Sequence, residues 1–149
     1  MKLNTDYFGE IEINEEEIVD FPDGLLAFEK FKKFVLIDNP DDELPFQWLQ
    51  CIDDPSLVFV VMNPFLFKKD YEVDIPDSVV KKLEIEDETK VAIYSILVIP
   101  DDITKMTANL IGPVIINSIN RKGKQIVLDN RKYSTKHFVL EDVSSEEAE

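Results

Sequence analysis

The sequence predicts an all-β fold: a small antiparallel β-barrel-like domain carrying one or two short helices. Three observations predict it. Many short runs are apolar or alternate with period two, Pro, Asp, Asn and Gly separate them at close intervals, and no stretch holds helical spacing for more than two or three turns. With 149 residues, 44% hydrophobic and 32% charged, the chain is of single-domain size and able to bury a core. One domain is expected over residues 1–143, followed by an acidic tail at 144–149 too polar to join it and expected to be disordered.

Taken in order, Glu10-Ile11-Glu12-Ile13 alternates, which gives a strand one wet and one buried face. Residues 14–17 break the pattern and Ile18-Val19-Asp20-Phe21 resumes it. Pro22-Asp23-Gly24 predicts a tight turn, because Pro fixes φ and Gly accepts a positive one. Residues 25–28 are compatible with a short helical turn, and 34–37 read as a buried strand ended by Asn39-Pro40-Asp41-Asp42. In residues 46–52, Phe46, Trp48, Gln50 and Ile52 share one face, with Gln47, Leu49 and Cys51 on the other. After Asp53-Asp54-Pro55, residues 57–62 are apolar throughout, so the pair reads as a hairpin whose second strand is central.

Asn63-Pro64 stops that strand, since Pro lacks a ladder N–H. Tyr71-Glu72-Val73-Asp74-Ile75 alternates and is expected to be a strand. Asp77 is expected to cap a short helix with Val79, Val80 and Leu83 on its inner side. Residues 91–99 form the longest apolar run, and their Val and Ile content favours strand. Within residues 107–130, two strand-like runs, 109–116 and 124–128, flank a polar turn, and Gly112-Pro113 predicts a kink or bulge in the first.

Charge and cysteine usage narrow the function. Thirty-one acidic and sixteen basic residues leave a net charge of −15. Residues 1–106 hold 25 acids and 10 bases, residues 107–140 hold 1 and 6, and residues 141–149 hold 5 and none. Such a molecule repels nucleic acid and anionic membrane and favours encounter with a basic protein. The apolar runs are too short to span a bilayer, the first residues lack a signal-peptide core, and Cys51 stands alone, so a cytoplasmic protein without internal disulfide is expected.

The chain shows no catalytic, metal-binding or cofactor motif. His137 and Cys51 are the sole residues of their types, far apart in sequence, and a hydrolase would need the fold to unite them. Asp41-Asp42, Asp53-Asp54 and Asp101-Asp102 border turns, where Asp accepts backbone N–H bonds. Residues 38–43 place Pro and Glu where a calcium loop needs a ligand and Gly. Gly123-Lys124 lacks the earlier Gly and following Ser or Thr of a phosphate loop, since Ser118 and Gln125 occupy those places. Arg121, Lys122, Lys124, Arg131, Lys132 and Lys136 form a basic block, which either discourages aggregation at a hairpin edge or, as an alternative function, binds RNA. Residues 63–70 place Asn63, Phe65 and Phe67 in a connection that water would normally keep polar. Both rings therefore either cap a barrel mouth or belong to a recognition patch.

Five segments together resemble one family. They are Tyr7-Phe8-Gly9-Glu10-Ile11, Pro45-Phe46-Gln47-Trp48-Leu49-Gln50, Phe59-Val60-Val61-Met62-Asn63-Pro64, the run 107–117 (TANLIGPVIIN), and Lys122-Gly123-Lys124-Gln125-Ile126-Val127-Leu128. In this order, across residues 5–140, the chain resembles the flagellar assembly factor FliW family. It departs at Leu25-Leu26-Ala27-Phe28, where the family usually reads Leu-Pro-Gly-Phe, and at Gly112, where Ala is common. The first departure leaves the shape of that loop open.

The resemblance implies a small cytoplasmic, non-enzymatic β-barrel that needs no cofactor and is a monomer by itself. It further implies two protein partners. One is the carbon storage regulator CsrA, a basic RNA-binding dimer whose repression of flagellin translation is relieved on binding. The other is flagellin, which displaces CsrA. No direct contact with nucleic acid or membrane is implied. Set beside the charge distribution, it places the regulator contact at Asp70, Glu72 and Asp74, with Asn63, Phe65 and Phe67 beside them.

Overall fold

The computed structural model describes residues 1–40, 45–129 and 132–140; the acidic tail, Asp41-Asp42 and Arg131 lie outside them. Seven strands close on themselves: β3 (Ile18–Asp20), β4 (Lys33–Asp38), β5 (Gln47–Cys51), β6 (Val58–Met62), β7 (Val91–Val98), β9 (Val114–Asn117) and β10 (Lys122–Gln125). Their order is β7-β6-β5-β4-β3-β10-β9, and β9 pairs back onto β7. All these pairs are antiparallel except β10 with β3, which meet in parallel at Lys122 and Asp20. The predicted barrel is therefore present, with one parallel seam where its sheet closes.

The period-two patterns sort the side chains. Val19, Phe21, Phe34, Leu49, Cys51, Val61, Val114 and Ile116 fill the barrel interior. Their strand neighbours face outward under three separate covers. A hairpin of β1 (Lys2–Thr5) and β2 (Gly9–Glu12) lays Leu3 and Ile13 against Val35. Helix α1 (Asp77–Lys82) brings Val79 and Leu83 onto Ile115 and Ile126. The connection after β6, with the short strands β8 (Thr107–Ala108) and β11 (His137–Phe138), packs Phe67, Tyr71 and Val139 over Met62, Leu97 and Ala108. This double coverage explains why β6 reads as apolar throughout.

Several expectations change in three dimensions. Residues 71–75 alternate between covered and exposed, but among the described residues they pair with no strand. The alternation came from lying across an outer face, which sorts side chains as a sheet does. Asp77 is the first residue of α1 rather than its cap; Pro76 holds the cap position and no side chain closes it. Residues 25–28 are not helical. Phe28 N–H donates to Leu25 O at 2.8 Å and Ala27 has φ 70, the reversal of a type II turn with a non-glycine at its left-handed position. The first of the expected strands in 107–130 is split. Leu97 pairs with Ala108 and Tyr94 with Val114, so residues 109–113 loop out opposite Ser95 and Ile96, as Gly112-Pro113 predicted. Strand β1, with its two inward residues Leu3 and Thr5, was too short to register as a pattern.

Two polar residues tie the layers together. The amide nitrogen of fully buried Gln50 lies 3.0–3.3 Å from the carbonyl oxygens of Cys51, Asp54, Pro55 and Leu57, fastening the β5–β6 turn. Asp23, in the predicted turn, meets Lys124 of β10 at 2.7 Å and also pairs with Lys82 of α1. The hydrogen bonds from Lys124 and then Lys82 hold its carboxyl down at about 2, from 3.8.

A folded-state value below the unfolded one means that ionised Asp23 stabilises the fold above pH 3.8, and that this contribution vanishes as pH falls through about 2. Asp23→Asn is therefore expected to have a lower urea midpoint than the parent at pH 5, with the gap closing toward pH 2. Because the carboxylate is partly exposed, the gap is a small one. A gap that stays constant over that range rejects the linkage.

Candidate partner-binding site

The site begins where β6 ends. Asn63 Oδ1 accepts from Phe65 N–H at 2.9 Å, and Pro64 starts the 3-10 turn Pro64–Leu66. This turn presents Phe65, 38% exposed, and Leu66, 57% exposed, to solvent, while Phe67 is only 3% exposed. Phe67 stacks on the His137 ring, centroids 5.9 Å apart, inside the outer apolar layer. Its place in the expected contact patch is therefore corrected: burial between β6 and β11 withdraws it, and Leu66 stands in the open instead. Asn63 holds the turn's shape.

The acids follow directly. Asp70, Glu72 and Asp74 are all exposed. Asp70 pairs with Lys68 at 3.0 Å, and that ammonium lowers its carboxyl below the ordinary range. Between them, Tyr71 and Tyr133 fix the backbone. Buried Tyr71 donates its hydroxyl to Leu110 O at 2.6 Å, and burial raises its hydroxyl far above the usual phenol value. Tyr133 packs edge-on to Tyr71, centroids 4.8 Å apart, and its oxygen accepts from Glu72 N–H at 2.8 Å. The looped-out segment 109–113 thus acts as the anchor that holds the acidic segment outward.

Glu72 and Asp74 also line a groove of about 300 Å³ with Pro76, Ile126, Val127, Leu128 and Asp129. Its far wall is the continuation of β10. Val127, 65% exposed, and Asp129 belong to this face but had no local signal, because only the fold brings residues 72–76 beside 126–129. A second exposed feature lies elsewhere: Tyr7, Phe8 and Trp48 cluster with centroids 4.8 to 6.1 Å apart, so the first two family segments meet in space.

The alternatives lose their geometry. Cys51 lies in the barrel interior, where burial pushes its thiol up, whereas His137 stacks on Phe67 outside the barrel wall. In the basic block, Lys122 pairs with Glu84 and Lys124 with Asp23, each at 2.7 Å, so these two cations are engaged within the molecule. Among the described residues, no group of three or more His, Cys, Asp or Glu could hold a metal ion. No described helix is long and apolar enough to cross a membrane.

Comparison with known proteins agrees with this architecture. The FliW protein family model matches residues 2–139. The flagellar assembly factor FliW of Alkaliphilus metalliredigens (strain QYMF) is 51% identical over 143 residues, covering 96% of this chain and 88% of that protein. That of Ruminiclostridium cellulolyticum is 40% identical over 147 residues, covering 99% of each. A crystal structure of the flagellar assembly factor FliW superposes with a TM-score of 0.86 at 42% identity, covering 93% of this chain and 96% of the other. With the barrel, the signature segments and near full-length identity in agreement, the chain belongs to the FliW family.

Proposed function

We propose that this protein is a cytoplasmic flagellar assembly factor that works by partner switching and catalyses no reaction. In this reading it binds the basic RNA-binding regulator CsrA and relieves repression of flagellin translation. Newly made flagellin binds in turn and releases the regulator. Family membership supports the flagellar role. The observation that carries the regulator contact is the acidic segment 70–74, exposed at Asp70, Glu72 and Asp74 and held outward by the Tyr71–Leu110 hydrogen bond.

Physical chemistry supports the direction of the effect. A net charge of −15 accelerates encounter with a cationic protein and repels RNA from the complex. Exposed Phe65 and Leu66 beside the carboxylates supply apolar area that charge steering alone lacks. Titration of purified regulator should show tight binding by the parent protein and at least tenfold weaker binding by the triple variant Asp70→Lys, Glu72→Lys, Asp74→Lys. Unchanged affinity in that variant rejects this contact. Co-purification from extract is expected to recover regulator and flagellin as mutually exclusive partners.

A further inference from the structure

The strand that closes the barrel leaves an unpaired edge beside the acidic segment. Beyond β10 the chain stays extended: Ile126 N–H donates to Pro113 O at 3.0 Å and Leu128 N–H to Ile111 O at 2.7 Å. In an antiparallel ladder, successive residues point their N–H and C=O groups to opposite sides. Those of Ile126 and Leu128 face the β9 side, so those of Val127 face away from it. On that other side β3 is a neighbour only at its end, where Asp20 N–H donates to Arg121 O at 2.8 Å. Past that point the turn at residues 23–26 meets Lys124 and Gln125 only through their side chains, and among the described residues the Val127 backbone makes no hydrogen bond.

Across the groove, residues 73–75 belong to no helix or strand, and none of the three makes a backbone hydrogen bond among the described residues. Between these two walls lies the space of about 300 Å³. Among the described residues its lining contains three carboxylates, of Glu72, Asp74 and Asp129, with the apolar Ile126, Val127 and Leu128, and no Lys or Arg. An open strand edge of this kind pairs readily with another chain. Here the walls add a charge requirement to the backbone one.

We propose that this edge takes an extended, lysine- or arginine-bearing segment of a partner protein by strand addition. The guest backbone pairs with Val127, its cations meet Glu72 and Asp74, and its apolar side chains, which point to the other face of the strand, pack over Val127. The proposal rests on the reading that the acidic face receives a basic partner, and it specifies how that partner is held.

The probe is an acetylated, amidated Lys-Val-Lys-Val-Lys-Val peptide, with affinity followed by calorimetry at moderate salt. Val127→Pro removes one edge N–H while keeping all the carboxylates, and is expected to weaken the peptide about tenfold. Two further peptides carry N-methyl groups, one on every lysine and the other on every valine. Because alternate N–H groups point to opposite sides of a strand, one methylated peptide should lose binding about tenfold and the other should bind like the parent. This pair decides the matter even where Val127→Pro does not fold. Failure of the parent peptide to bind, or equal affinity of both methylated peptides, overturns strand addition. In a parallel titration, a regulator that binds Val127→Pro normally but not the charge-reversed triple variant also overturns it and leaves the proposed function standing. A regulator that does not bind the unaltered protein overturns the proposed function, while the methylated pair still decides the edge.

Discussion

Gly123→Ala is expected to destabilise the protein by about 1–3 kcal/mol, and Phe21→Leu is expected to restore part of the loss. A Cβ at position 123 would lie 2.5 Å from Cε1 of Phe21 and 3.0 Å from its Cδ1 and Cζ. That ring has nowhere to go. It is fully buried in the barrel, edge-on to Phe34 at 5.5 Å between centroids. Gly123 is in β10 opposite Ile116, and its missing side chain is what admits the Phe21 ring at the seam where the sheet closes. Urea unfolding of both single variants and the double variant checks this. The double variant should lose less than the summed single losses by about 1 kcal/mol or more, since residues in direct contact couple. Additive losses would refute the contact.

Opposite effects are expected three residues apart in the loop where the chain departs from its family. Gly24→Ala should cost about 3 kcal/mol or more, combining a left-handed backbone with a steric clash. Its φ is +68, and an added Cβ would meet the backbone of Glu29 at 2.5 Å, which no rotamer change relieves. Ala27→Gly should instead stabilise by about 1 kcal/mol, because Ala27 already occupies φ 70. Completing the family's sequence with Leu26→Pro is a different matter. Leu26 N–H donates to Gln125 Oε1 at 3.0 Å, and Gln125 Nε2 donates to Gly112 O at 2.9 Å. Proline removes the first donor and leaves a half-buried oxygen unsatisfied, so it should lower stability even though its φ suits the turn. Thermal melts of the three variants settle all the signs; a destabilised Ala27→Gly would contradict the assigned turn.

The departure thus has a local meaning. The loop keeps the left-handed residue that a glycine serves elsewhere, and it uses the backbone N–H that a proline would lack to hold the side chain of Gln125. Gln125 bonds both to the loop at residues 25–28 and to the segment around Gly112, and so joins the two.

What the sequence by itself determined was everything carried by short-range periodicity and turn chemistry. The alternation in residues 46–52 assigns Leu49 and Cys51 to one face and Trp48 and Gln50 to the other, as found. Pro22-Asp23-Gly24, Asn63-Pro64 and Gly112-Pro113 mark a turn, a stop and a break because their backbones permit little else. Composition and the ordered signature segments led to the barrel and to the family. Alternation at residues 71–75 could not reveal whether a partner strand existed, since a segment lying on a sheet face sorts its side chains with the same period.

Only the tertiary structure decided which exposed-looking residues are exposed. Phe65 and Phe67 are equivalent in the sequence, yet a 3-10 turn sends one to solvent and the other against His137. Lys122 and Lys124 look like a free basic patch until Glu84 and Asp23 arrive from distant parts of the chain. Likewise, the groove between Glu72, Asp74 and Asp129 has no sequence signature, because its two walls are at least fifty positions apart in the chain. The physical reason is common to all three: periodicity and turn propensity act within a few residues, whereas burial, ion pairing and open strand edges depend on which distant segments the closed barrel brings together.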